Sequence, residues 1–180
     1  QVDFKNLLKN NSIFLNILKS ELLNNKNLNG KLNFIIKNVK GLNSINEIKF
    51  TVNLEEGNIY IDNLITSFEK SVLINIDDVQ LIIENNKLKF AGYISLDFLD
   101  ISDFYVHYQI NRIYRRNIKK ISFGFLFNLD DRFVEIDNLK VNGNTNQNLE
   151  KFLSEFNSRK DNILNKIIFR NSVKNFLKNF

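Results

Sequence analysis

The chain has 180 residues, 43% of them apolar, and a formal net charge of +5, which is length enough for one domain with a real core. It contains no Cys, Met, Trp or Pro, so disulfides, thiolate metal sites and thiol redox chemistry are excluded while the compartment stays open. Lys, Asn, Ile and Phe are the residues read from AT-rich codons, and part of the basicity is therefore attributed to codon bias rather than to an acidic partner. No stretch of about 18 uncharged apolar residues occurs, so no spanning helix is predicted. The start at Gln1 lacks the pattern of a signal peptide, and the chain reads as a piece of a longer protein whose targeting segment lies elsewhere.

From Asp3 to about Asn25, Phe4, Leu7, Leu8, Phe14, Leu15, Leu18, Leu22 and Leu23 recur at three- and four-residue spacing, which predicts an amphipathic helix, broken near Asn10 and Asn11. After Gly30 the period changes to two. Leu32, Phe34 and Ile36 alternate with polar neighbours, as do Ile48, Phe50, Val52 and Leu54, then Ile59 and Ile61. Val72, Ile74 and Ile76 continue the pattern, and a shift at Asp77-Asp78 before Val79, Leu81 and Ile83 predicts a bulge. Leu88, Phe90, Ile94, Leu96 and Phe98 follow around Gly92, then Phe104, Val106, Tyr108 and Ile110, then Ile121 to Leu129, then Val134 and Ile136.

Glu56-Gly57-Asn58, Glu84-Asn85-Asn86-Lys87 and Asp130-Asp131-Arg132 punctuate these runs with residues that accept positive φ, which predicts hairpins between antiparallel neighbours. Past Gly143 the helical period returns at Leu149, Phe152, Leu153 and Phe156, and again from Ile163 to Phe180 behind Asp161 as an N-cap. The expectation is a single domain, mainly β with flanking α: an N-terminal helix over 1–28, a curved or groove-like antiparallel meander of eight or nine strands over 30–143, and helices over 146–180.

Little in the sequence assembles into catalytic machinery. His107 is the sole histidine and reads as a surface strand residue, out of phase with Val106 and Tyr108. Asp77, Asp78, Asp97, Asp100, Asp103, Asp130 and Asp131 fall at turns, strand ends or the bulge, where Asp bonds its own backbone; no EF-hand spacing and no phosphate-binding glycine loop is present. No catalytic residue, metal or cofactor is assigned, and the chain is read as not an enzyme. Arg112, Arg115, Arg116 and Lys119, with Lys120 and Tyr114, form a dense basic cluster suited to anions or lipid head groups. A solvated hairpin loop between two strands is the favoured reading of that cluster, and head-group binding is the minority reading. Nucleic acid is not expected, because the aromatics are mostly Phe on the apolar face rather than Tyr beside the charges.

The stretches Glu56–Leu64 and Lys87–Asp97 carry a resemblance, together with Asp103-Phe104-Tyr105, Tyr108-Gln109-Ile110, Arg115-Arg116 and Ile136–Gly143. Over roughly residues 30 to 156 the chain resembles the C-terminal part of AsmA-like proteins, relatives of TamB-like and YhdP-like envelope proteins. The resemblance implies a periplasmic β groove in a protein anchored in the bacterial inner membrane, contributing to phospholipid transport between the two membranes or to outer-membrane integrity. It also implies groove-lining residues Phe50, Val52, Ile74, Phe90, Ile94, Val106, Phe123, Phe125 and Phe127, and as partners a phospholipid or other apolar chain, a membrane surface, and the remainder of a longer chain. A second class stays open, a structural or assembly scaffold that meets an envelope protein partner through its sheet edge or terminal helices.

Overall fold

The computed structural model describes residues 13–20, 25–37, 44–131, 133–159 and 166–179. The expected first helix at residues 3–12 and 21–24, the turn residue Arg132, and the expected N-cap Asp161 with Ile163 lie outside these. Seven strands form one open antiparallel sheet in sequence order: β1 (Gly30–Ile36), β2 (Ile48–Glu55), β3 (Asn58–Phe68), β4 (Val72–Glu84), β5 (Lys87–Phe98), β6 (Lys120–Asn128) and β7 (Phe133–Val141). Four α-helices accompany them among the described residues: α1 (Ile13–Lys19), α2 (Ile101–His107), α3 (Gln147–Asn157) and α4 (Lys166–Asn179), with a 3-10 turn at Arg112–Tyr114. The mainly β, antiparallel meander with helices at both ends is as the alternation predicts.

Two strand assignments are corrected. The runs on either side of Asp77-Asp78 form one strand, β4, with a register shift against β5 between Asp77 and Gln80. Residues 101–107 are helical, although Phe104, Val106 and Tyr108 alternate like a strand. The same stretch also carries Ile101, Phe104, Tyr105 and Tyr108 at helical spacing, and Asp100 caps it by accepting from the Ser102 N–H at 2.8 Å, satisfying a donor that a helix start leaves free. Where both periods fit, a good N-cap and a core to bury Tyr105 favour the helix. His107 is accordingly a helix residue, not a strand residue.

The hairpins close by turns whose central residues are left-handed: Glu56-Gly57 (φ 50° and 83°) and Asn85-Asn86 (φ 51° and 60°) are two-residue loops of the type that matches strand twist. A third such turn, Glu69-Lys70 (φ 46° and 59°), has no Gly or Asn; the Ser71 N–H closes it onto Phe68 O at 3.1 Å, and the Glu69 N–H donates to Ser44 O at 2.9 Å.

A crease crosses the sheet. Ile61-Asp62-Asn63-Leu64 in β3, Ile76-Asp77-Asp78-Val79 in β4 and Ile136-Asp137-Asn138-Leu139 in β7 repeat one short pattern. In each the third residue is left-handed, with φ of 51° at Asn63, 55° at Asp78 and 49° at Asn138, a conformation that Asn and Asp tolerate best among non-glycine residues. Register shifts accompany them in the β2–β3, β4–β5 and β6–β7 pairs. The β3 and β4 insertions lie side by side, so that pair keeps its register across them. On the intervening strands the row continues through Gly92 and Gly124, which pair with Phe125 and Tyr93 respectively. Bulges and glycines at one level bend a sheet, and each extra residue keeps the flanking apolar side chains on one face.

The two edges of the sheet are treated differently. At β7 the side chain of Asn157, at the end of α3, donates to Ile136 O at 2.8 Å and accepts from the Ile136 N–H at 3.0 Å, occupying the groups that another strand would use. Asn146 caps the start of that helix by accepting from the Leu149 N–H at 3.0 Å. β1 is the other edge, and its Leu32 is 53% exposed.

Two outcomes follow from this packing. A Cβ on Gly92 would lie 2.9 Å from Val79 Cγ2 and 3.2 Å from Asp77 O, whereas one on Gly124 would meet only the movable carboxylate of Asp137. Gly92→Ala is expected to cost about 1–3 kcal/mol in chemical denaturation and Gly124→Ala distinctly less; equal losses would refute the packing role of Gly92. Asn157→Leu leaves both Ile136 groups unpaired, which costs roughly 1–3 kcal/mol, and should raise concentration-dependent association measured by light scattering.

Candidate functional site

The inner face of the sheet is mostly apolar, with Thr66 opposite Ile74 as a buried polar exception, and among the described residues three clusters of buried side chains occupy it. Tyr105, Ile110, Ile118, Ile121, Leu139, Val141, Leu149, Phe176 and Leu177 join the sheet to α2, α3 and α4. Val134, Ile136 and Phe156 form a second group under α3. Across the crease, Leu18 of α1 covers Ile59, Leu88 and Leu129. Each fully buried large side chain contributes about 1.5–3 kcal/mol of transfer free energy, so the helices are held mainly by this face.

They do not fill it. Between the strands and the helices lies a cavity of about 550 Å³, floored by β4 to β7 and walled by α2, α3 and α4. Among the described residues no charged side chain lines it, nine of the lining residues are Phe, and only Tyr108 and Ser172 bring side-chain oxygen to its wall. Helix α4 presents Phe169, Ser172, Val173 and Phe176 to the space at helical spacing. Contacts that hold the roof include the Phe176 ring, 5.2 Å from Phe152 of α3, the Arg170 guanidinium, which donates to His107 O at 3.3 Å, and Leu177, buried in the main cluster. Burial raises the Tyr108 phenol above its ordinary pKa, with the nearby Arg170 charge working against that shift.

Of the residues expected to line a groove, Ile74, Ile94, Phe123, Phe125 and Phe127 line this cavity. Phe50 lies on the same face towards the β1 edge, stacked on Phe34 with ring centroids 4.8 Å apart, while Val52 and Phe90 pack on the cluster beneath α1. Val106 is corrected: the turn of α2 points it outward, 65% exposed, away from the sheet face. The helical half of the wall, Phe104, Tyr108, Phe152, Phe156, Phe169 and Phe176, was not anticipated as lining. Its signal was present as helical stripes, but which surface a stripe faces is a tertiary matter.

The basic cluster is partly consumed in building its own loop. The Tyr105 hydroxyl donates to Arg116 O at 2.6 Å and accepts from the Arg116 N–H at 2.9 Å. Arg115 donates through Nε to Ile110 O at 3.1 Å and lies over the Tyr105 ring at 5.7 Å, and Arg116 donates to Ile113 O at 3.2 Å. Arg112 and Lys119 remain exposed.

The aspartates are dispersed: Asp77 and Asp78 make the bulge, Asp100 caps α2, Asp97 lies 3.5 Å from Lys120, and Asp131 pairs with Lys87 at 2.8 Å. Among the described residues no group of acids and His stands close enough to hold a metal ion. His107 Nδ1 lies 3.5 Å from Glu69, and Ser44 Oγ donates to the same carboxylate at 3.0 Å. The acid therefore sits between hydroxyl and imidazole, the reverse of the order in which a histidine activates a nucleophile. Comparisons with protein-family models, with curated proteins and with solved structures find no match to this chain.

Helix α1 is fastened by charge. Burial disfavours the ionised form of Asp130, but hydrogen bonds from Lys19 Nζ and the Leu88 N–H outweigh it and hold the carboxyl below its ordinary pKa. A lowered folded-state pKa stabilises above the unfolded value and is lost as pH falls through the folded one. Acidification through and below the ordinary aspartate range should therefore loosen α1 from the sheet. Asp130→Asn should flatten that acid limb in denaturant midpoints measured against pH; an unchanged acid limb would remove Asp130 from the account.

Proposed function

We propose that this chain is a non-enzymatic binding module that houses a phospholipid acyl chain or other long apolar chain between its sheet and its helices. The observation that carries the reading is the cavity of about 550 Å³ with no charged side chain among the described residues that line it. The space is partly open to solvent, so its apolar walls stay in contact with water, at a cost in free energy, unless an apolar group fills it. Ligand sites fall in this range of volume and are mostly apolar. A transferred methylene contributes about 0.8 kcal/mol, which lets an unspecific wall of Phe, Ile and Val hold a chain without a precise polar contact.

The placing of such a module in the bacterial envelope, with a part in phospholipid transport or outer-membrane integrity, is supported by the AsmA-like resemblance of residues 30–156. The physical reading of the cavity is independent of that resemblance.

The test is to fill the space rather than break its walls. Val173→Trp, from the roof helix, should keep the fold, raise or preserve the thermal midpoint, and weaken binding of a fluorescent long-chain phospholipid by about tenfold or more, in line with the sensitivity of packed sites to added volume. Wild-type protein that is folded yet takes up no such lipid, and carries none by mass spectrometry after purification, would overturn the proposal.

A further inference from the structure

Charge is divided unevenly over this fold. Residues 104–129, from α2 through the 3-10 turn into β6, contain five Lys or Arg and no Asp or Glu, and residues 166–179 contain four and none. The remaining 16 basic residues of the chain stand against all 20 of its carboxylates, so the excess positive charge belongs to these two segments.

The fold brings the segments together. Arg170 of α4 donates to His107 O at 3.3 Å, and Lys178 Nζ lies 5.7 Å from the centroid of the Tyr114 ring. Among the described residues the carboxylates near this region include Asp97, 3.5 Å from Lys120, Glu69, 3.5 Å from His107, and the exposed Asp103 in the first turn of α2, at the opposite end of that helix from His107. Arg112, Lys119 and Lys174 pair with no carboxylate among the described residues. Apolar side chains stand exposed among these cations, with Val106 at 65%, Ile113 at 69% and Ile167 at 72%. Phe169 and Tyr108, in the same two segments, line the cavity.

We propose that the face formed by the end of α2, the 3-10 turn and α4 docks on an anionic bilayer. Cations attract the lipid phosphates, while exposed Ile and Val side chains enter the boundary between head groups and acyl chains. This combination separates a bilayer from a nucleic acid, for which exposed aromatic platforms are the expected companions of the charge. Here Tyr105 is buried and Tyr114 lies beneath Lys178. The inference rests on charge and exposure and stands whether or not the cavity holds a lipid. Docked in this way, the protein would lie with a wall of the cavity against the membrane.

Cosedimentation with vesicles tests it. Vesicles of equimolar phosphatidylcholine and phosphatidylglycerol should retain the protein, and vesicles of phosphatidylcholine alone should not. Arg112→Glu with Lys119→Glu and Lys174→Glu should lower the partition coefficient by ~100-fold or more, on the general strength of a basic residue near an anionic surface. A charge-matched control, Lys26→Glu with Lys31→Glu and Lys140→Glu, should keep most of the binding. Should the first variant misfold by circular dichroism, Ile113→Ser with Ile167→Ser replaces it, and its loss of binding at raised salt gives the same support. No binding to anionic vesicles, equal binding to neutral ones, or equal loss in the charge-matched control would overturn the proposal.

Discussion

The structure depends on one constraint, the need to keep a single apolar face continuous while bending the sheet that carries it. A flat seven-stranded sheet would offer its inner side chains to water or to a second layer of equal extent, and the described helices, of 7 to 14 residues, do not form such a layer. The crease answers both demands. Its extra residues at Asn63, Asp78 and Asn138 restore the inward phase of the side chains that follow them, and Gly92 leaves the space that Val79 and Phe125 crowd from either side. Without the insertions, the far halves of β3, β4 and β7 would turn their apolar residues outward, since a shift of one residue exchanges the two faces.

The helices then complete a layer that they cannot fill. α3 lies against β7 and blocks that edge through Asn157, α2 grows from the end of β5, and α4 spans from α2 to α3. Phe176 and Leu177 of α4 pack into the buried cluster with Ile121, Leu139 and Val141 of the sheet, while Phe169, Ser172 and Val173 of the same helix face the open space beside it. The cavity thus lies beside that packed cluster, between the bulged strands and the helices that flank them. The same arrangement gathers the cations of α4 and of the 3-10 turn on one outer surface, a polarity that the net charge of the chain conceals.

Legibility in the sequence followed the strength of local signals. Alternation identified all seven strands, and the phase break at Asp77-Asp78 identified the β4 bulge. The matching Ile-Asp-Asn-Leu patterns at residues 61–64 and 136–139 carry the same information more faintly, because the alternating runs that flank them are short. Residues 101–108 satisfied both periods at once, and only the presence of Asp100 as a cap and a core for Tyr105 separates them. Of the nine expected groove residues, five line one cavity, three lie elsewhere on the same face, and Val106 lies outside it.

By itself the sequence determined the local conformations: strands where apolar residues alternate, turns where Asn, Asp and Gly accept positive φ, and helices where apolar residues recur every three or four positions. These follow from sterics and hydrogen bonding within a few residues, so the order of elements can be read directly. Tertiary structure alone decided which apolar stripes were spent on packing and which were left around a void. That outcome depends on the volume between surfaces distant in the chain, on where the crease of one strand meets that of its neighbours, and on how far a helix can settle before other helices stop it. No spacing along the sequence encodes such a distance.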